Sequence, residues 1–375
     1  MLELFSDFTL RNVAMGAALL GISSGVLGSF ALLREQSLLG DTLSHAALPG
    51  VCLGFLIAGG RNLLPILLGA LVTGALAALF VLLLTRRSRL KNDAALGIAL
   101  SLFFAVGTVL LTYIGNQNNA GQAGLDAFLF GQAASILPAD VAVMAVITAL
   151  SLALVLGFWK EFKLLSFDPG FAGSLGLPTL LLDIIMTVMI ALAIVIGLQL
   201  VGVVLMAAMV IAPAAAARQW TRRLGAMVTL AAVFGALSGV VGAVISALAT
   251  GLATGPVIVL CASVFVIVSL LFAPERGLLW AALRSVRQRR ELHSHQVLID
   301  LYQLADAHGN PQYPSEAGMM NLYYGTDARR ALRKLASKGY LVKTEHMREE
   351  GPHWVLTDAG YERARELLGE MGLAA

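Results

Sequence analysis

QSLLGDTLSHAALPG, residues 36–50, places an acid, Asp41, and an imidazole, His45, inside sequence otherwise apolar enough to enter a bilayer. The i, i+4 spacing sets both side chains on one face of a helix, one turn apart. Pro49 falls four residues further on. Its ring removes the amide that would bond the carbonyl of His45, so the helix is expected to kink or stop there. Ionisable groups in a transmembrane helix are costly and usually face a bundle interior or a transport path. Carboxylate oxygen with imidazole nitrogen is a donor pair suited to divalent first-row metals. The alternative is a capping or interfacial pair, since Asp41 stands close to the start of its segment. Two donors do not fill a coordination shell, so the others must come from elsewhere in the chain, from water, or from a second copy of the helix.

The rest of the composition agrees with a membrane chain. Of 375 residues, 58% are hydrophobic and the mean hydropathy is +0.81, which excludes a soluble globule and predicts a polytopic helical protein. Charge is segregated. Residues 1–280 hold 24 of the 49 Asp, Glu, Lys and Arg residues, and the last 95 hold the other 25. That break predicts a transmembrane domain over 1–280, a basic linker over 281–290 and a cytoplasmic domain over 291–375. Cys52 and Cys261 lie in apolar runs and read as packing residues rather than a disulfide. The first apolar run is too long for a separate signal peptide.

Apolar runs predict nine spans, at about residues 10–33, 38–58, 63–85, 93–114, 140–159, 179–199, 200–217, 224–249 and 255–273, with a tight hairpin near Gln199. An eight-span version makes one of them re-entrant or interfacial. Arg86, Arg87, Arg89 and Lys91 form the densest basic loop; Lys160 with Lys163, and Arg218 with Arg222 and Arg223, are the others. The positive-inside rule puts all three in the cytoplasm, and nine spans place them there together with Arg34 and the C-terminal domain. The uncharged stretch NQNNAGQAG, 116–124, falls outside.

Between the fifth and sixth spans, KEFKLLSFDPGFAGSLGLP (160–178) is too short and polar to cross. Asp168 at N-cap and Pro169 at N1 start a helix of about two turns that Gly176 and Pro178 end. A short amphipathic helix there, using Phe167, Asp168, Pro169, Phe171, Ser174 and Leu175, is either a docking element for a motor subunit or a loop helix lying on the bilayer.

Taken together, LREQSLLGDTLSHAALPGVCLGF, FDPGFAGSLGLP, VGVVLMAAMVIAPAAAA (201–217), TGPVIVL (254–260) and FAPERGLL (272–279) resemble the membrane permeases of bacterial manganese/zinc/iron ABC importers, in the expected order over residues 5–280. The resemblance implies a metal path at a permease dimer interface, with Asp41 and His45 at the positions of intramembrane metal ligands. It implies residues 167–175 as a coupling helix, a separate cytoplasmic ATPase and an extracytoplasmic metal-binding protein. The metal is then cargo, with no permanently bound cofactor. No G-x-x-x-x-G-K-[ST] occurs, so this chain lacks that means of hydrolysing ATP and reads as a non-enzyme.

The tail departs from that family, whose members commonly end soon after the last span. ELHSHQVLIDLYQLADAH, a loop and short helix to about Tyr324, the basic helix TDARRALRKLASKGYL, a hairpin turning at Glu349–Pro352 and a final helix give a winged helix-turn-helix pattern. It resembles the DNA-binding domain of iron- or manganese-dependent repressors, with Arg329, Arg330, Arg333 and Lys334 on the recognition helix. Winged helices also serve as protein-interaction modules, so nucleic acid, the ATPase, and metal at His293 and His295 all stay open as its partners.

The fold expected is thus an all-α polytopic membrane protein with a small α+β winged-helix domain. The function expected is metal import through a permease in the bacterial plasma membrane. A membrane-tethered, metal-responsive DNA-binding regulator is the alternative, and a proton-coupled transporter using Asp183 is a third. A twofold axis beside Asp41 and His45 would supply two carboxylates and two imidazoles, from two copies of this chain or from a close paralogue. Cysteines at Thr42 or Ser44 are then expected to cross-link the protomers.

Overall fold

The structure, a computed structural model, describes residues 8–58, 63–116, 136–248, 252–274, 276–316, 328–344 and 353–370. It packs as two compact units, Met1–Leu278 and Leu279–Ala375. Most of the polar stretch 116–124, the short helix expected before Tyr324 and the turn at 349–352 lie outside the described residues.

The first unit is helical: α1 (Phe8–Leu33), α2 (Leu39–Ala58), α3 (Leu63–Arg87), α4 (Asn92–Gly115), α5 (Pro138–Gly157), α6 (Trp159–Phe167), α7 (Pro169–Ser174), α8 (Thr179–Val201), α9 (Val203–Trp220), α10 (Leu224–Leu248) and α11 (Thr254–Phe272). Among the described residues, eight helices are long and apolar enough to cross a membrane: α1 to α5, α8, α10 and α11. The remaining apolar helix, α9, has 18 residues. Just before its start, Val201 at the end of α8 lies against Gly255, at the first turn of α11. The end of α9 is tied to the last turn of α11, where Trp220 Nε1 donates to Ser269 Oγ at 2.9 Å. So α9 runs the length of a spanning helix.

The tight hairpin expected near Gln199 turns on a single residue, Gly202, between α8 and α9. Gly202 sits at φ +89°, in the region that favours a residue without Cβ. Both helices pack on α1, α2 and α11; α8 also packs on α3, and α9 on α10. Hydropathy marks the apolar residues but not this local backbone geometry.

Contacts fix the levels of the helices. Arg34 pairs with Asp183 at the start of α8, Phe30 meets Trp159 and Phe162 of α6 edge-on at 6.0 and 6.1 Å, and Thr42 Oγ1 reaches Leu96 O of α4 at 3.3 Å. Near the other end, Gly16 of α1 meets Leu200 of α8. Loops 86–91, 158–163 and 218–223 therefore lie with Arg34 at one end of the bundle, as the charge pattern requires.

α1 is the centre of this unit. Without a hydrophobic driving force between helices, close packing must come from small residues. A Cβ on Gly21 would overlap the carbonyl of Gly235 in α10, and one on Gly28 the carbonyl of Val210 in α9. Overpacking costs about 1–3 kcal/mol and more where only backbone can give. Gly235→Val is accordingly expected to lower the thermal midpoint of the purified protein well below that of Gly97→Val, whose glycine has open space around it. Equal midpoints would contradict the crossing.

α2 excludes one of the two outcomes expected at Pro49, a stop. It continues from Leu39 to Ala58 with Pro49 inside and buried, so the proline does not end it. The next residue, Gly50, is in backbone contact with Gly69 of α3, and a proline is tolerated where neighbouring helices hold the backbone.

In the second unit, α12 (Leu278–Ala307) and α13 (Ala328–Ser337) enclose a core with α14 (Asp358–Glu370). Strands β1 (Ser315–Glu316), β2 (Leu341–Thr344) and β3 (His353–Leu356) form an antiparallel sheet in the order β1-β3-β2. Val297, Leu298, Leu301, Leu332, Leu335 and Leu367 fill the core. Thr357 caps α14: its Oγ1 accepts from Gly360 N at 3.1 Å and donates to Gly339 O at 2.7 Å.

Candidate functional site

Most of α2 is buried; the residues around its pair show why. Thr42 and Ser44 are fully buried, their hydroxyls donating to Leu38 O at 2.8 Å and Gly40 O at 2.7 Å. Leu43, Ala46 and Ala47 fill the core. Asp41 and His45 stand on the more open stripe that begins at Leu38, with side chains 34% and 17% exposed. They face away from the chain's own centre. Cysteines at Thr42 or Ser44 could not reach a partner from where the structure puts them; Leu38, 40% exposed, is the position that can.

His45 Nε2 lies 3.3 Å from Asp41 Oδ1. That is long for a hydrogen bond. Two donors each about 2.1 Å from one ion, at an angle of roughly 105–110°, stand about 3.3–3.4 Å apart, so the pair already has the bite of two ligands on one metal. The ring is held by Phe104 of α4, edge-on at a centroid distance of 4.8 Å. His45 Nδ1 is buried with no hydrogen-bond partner, an arrangement that costs stability unless something else satisfies the ring. Among the described residues no group of three or more His, Cys, Asp or Glu side chains comes together. Asp41 and His45 therefore stand as two candidate donors without a third His, Cys, Asp or Glu beside them among the described residues.

Asp183, the other intramembrane acid, is not near this pair. It is neutralised by Arg34, whose other guanidinium nitrogen approaches Met186 Sδ at 3.2 Å. No spacing rule connects residues 149 apart, although both mark the same end of the bundle.

Residues 158–178 form two short helices. α6 escaped the sequence reading, though Trp159, Phe162 and Leu165 repeat at helical spacing, Phe162 and Leu165 buried. α7 has six residues, close to the two turns expected. Asp168 caps it, accepting from Phe171 N at 2.8 Å, and Pro169 occupies its first turn. Ser174 Oγ donates back to Phe171 O at 2.8 Å, and Gly176, at φ +76°, turns the chain away. Only Ala172 is buried. Phe167, Phe171 and Leu175, spaced by four, are 60%, 52% and 58% exposed, at the end of the bundle that carries the basic loops.

Residues 6–273 match the model of the ABC 3 transport family. The chain belongs to that family. It is 46% identical over 291 residues to the manganese transport system membrane protein MntC of Bacillus subtilis, covering 78% of this chain and 67% of that one. It is 44% identical over 287 residues to the zinc transport system membrane protein TroC of Treponema pallidum, covering 76% and 96%. Among solved structures it is similar to PsaBC from Streptococcus pneumoniae in complex with Fab, at 33% identity and a TM-score of 0.65, covering 73% of this chain and 96% of that one. The first unit is thus a multi-pass membrane protein of an ABC permease family.

Of the four tail residues singled out in the sequence, α13 divides two from two. Arg330 and Lys334 line a concavity against α12; Arg329 and Arg333 are exposed and do not.

Proposed function

We propose that the chain is the transmembrane permease subunit of an importer for divalent transition metal ions in a bacterial plasma membrane, with Asp41 and His45 as ligands on the metal's path. The observation that carries this reading is the 3.3 Å Asp41–His45 pair on the open stripe of α2. The named relatives transport manganese and zinc, and another, from Haemophilus influenzae, is a probable iron transport protein. An O,N donor set accommodates all three metals.

A divalent ion wants at least four donors, and the twofold reading supplies them from a second permease chain, of this kind or a paralogue. Two carboxylates and one divalent cation are also close to charge-neutral, which lowers the cost of burying either in hydrocarbon. In the empty state the carboxylates repel, so metal entry relieves strain at the interface. Leu38→Cys is expected to form a disulfide between protomers in oxidised membranes, while Thr42→Cys and Ser44→Cys do not. A monomeric Leu38→Cys protein on non-reducing gels, with one permease chain per complex by native mass measurement, would sink the shared site.

Hydrolysis of ATP belongs, in this reading, to a separate subunit that docks on α7, and an extracytoplasmic binding protein delivers the metal. Exposed Phe167, Phe171 and Leu175 form the apolar stripe such a partner would cover. Replacing Phe171 by Asp is expected to abolish metal-stimulated ATP hydrolysis by the reconstituted complex while metal binding persists. Unchanged stimulation would leave α7 as a surface helix on the bilayer. The tail, with its three-stranded sheet packed on α12, α13 and α14, supports the winged-helix reading, here as an accessory to transport. Uptake of manganese, zinc and ferrous iron by proteoliposomes holding the permease and its ATPase, with and without residues 291–375, tests the whole assignment; no uptake of any of them by the intact chain would refute it.

A further inference from the structure

The second unit carries two concavities along α12, and they differ in charge. One is lined by Glu291, His295, Lys334, Lys338, Arg363 and Glu366. Its charges are compensated: Arg363 Nη1 bonds Glu366 Oε2 at 2.7 Å. Burial there holds the His295 imidazole below its ordinary value, with Glu291 opposing and Arg363, Lys338 and Lys334 reinforcing the shift.

The other, of about 480 Å³, is lined by Arg289, Arg290 and His293 from α12 and by Arg330 and Lys334 from α13. Among the described residues no carboxylate lines it. Among the described residues, none of its two α12 arginines, Arg330 or Lys334 has an acid within ion-pair distance. Four full positive charges thus converge from two helices on one volume. Like charges held this close repel, and only partly is that screened by salt. A fold that keeps them together without acids gains most from an anion placed between them.

We propose that this cleft is a binding site for a compact anion carrying two or more phosphate groups. Guanidinium forks match phosphate oxygens bidentately, and an ammonium adds a point charge; the cleft supplies three of the former and one of the latter. Its volume falls in the range of small-ligand sites, roughly 300–1,000 Å³. The concavity favours such a ligand over duplex DNA, into whose groove a recognition helix projects outward. Arg329 and Arg333, on the outside of α13, are the residues free for that. The proposal does not depend on the transport reading, and its chemistry is shared by a soluble nucleoside polyphosphate and an anionic lipid headgroup.

The test uses the full-length protein in nanodiscs of phosphatidylcholine, with inorganic triphosphate as the probe and binding read by calorimetry. Saturable binding is expected, weakened about tenfold or more by Arg290→Glu and by Lys334→Glu. Arg290→Gln and Lys334→Gln should fall between, and Lys338→Glu, at the compensated cavity, should change little. Nanodiscs containing cardiolipin, whose headgroup carries two phosphates, distinguish the sources. A lower apparent affinity in them identifies the headgroup as an occupant, and equal affinity points to a soluble ligand. The proposal is overturned if triphosphate does not bind saturably in phosphatidylcholine, or if both charge reversals leave its affinity unchanged. It is also overturned if a DNA duplex binds through Arg330 and Lys334 while triphosphate neither binds nor competes.

Discussion

Asp41→Asn is expected to reduce metal uptake to background while the permease still assembles with its ATPase. The amide keeps the shape of the carboxylate, and among the described residues the Asp41 carboxylate is paired with His45 of its own helix rather than with another helix, so the fold should survive. What is lost is charge. In the twofold reading the substitution removes both carboxylates at once, leaving a divalent cation among neutral donors in a medium that disfavours an uncompensated ion by several kcal/mol. His45→Ala should behave similarly but less completely, since the carboxylates and their charge remain. The measurement is initial uptake of radioactive manganese and zinc, normalised to complex recovered from membranes. Transport by Asp41→Asn at the parental rate would take Asp41 off the path.

Asp183→Ala is expected to destabilise the membrane unit strongly, for a different reason. The Arg34–Asp183 pair is largely shielded, with side chains 11% and 23% exposed. Truncating one member of a buried pair leaves the other charge uncompensated, a loss of about 3–5 kcal/mol. Replacing both by apolar residues removes the charge and the penalty together. Arg34→Met with Asp183→Leu should therefore recover most of the thermal midpoint that Asp183→Ala loses, and should still transport metal. A double variant as unstable as the single one would contradict this account. A stable double variant without transport would return Asp183 to the proton-relay role read from the sequence.

How far the sequence could be read depended on the range of the interactions. The Asp41–His45 pair and the Asp168 cap are local: spacing on one helix, and one side chain over one turn, fix them. The tail's order of helices and hairpin was equally visible, since its period changes at Gly339 and Thr357. The one-residue sharpness of the turn at Gly202 was not, because apolar helices joined by a longer loop or by a single glycine have the same hydropathy. Nor was the persistence of α2 through Pro49, which depends on α3 pressing against Gly50. The burial of Thr42 and Ser44 was hidden for a related reason. A helix shows from its sequence which residues share a face, and only its neighbours decide which face is covered. The charge pattern of α13 was plain, but the partition of Arg330 and Lys334 from Arg329 and Arg333 required α12 to be in place.

The glycines of α1 bear on how such a protein can move. Two helices that touch through backbone alone interlock at atoms unable to rotate aside, so sliding one past the other would force overlaps that no rotamer change relieves. α1, α9 and α10 accordingly act as a single chassis, and any alternation of access to Asp41 and His45 has to displace that chassis whole against whatever faces it. The stroke available is then set at the surface where α2 opens outward, and the interior of the bundle contributes stiffness instead of travel.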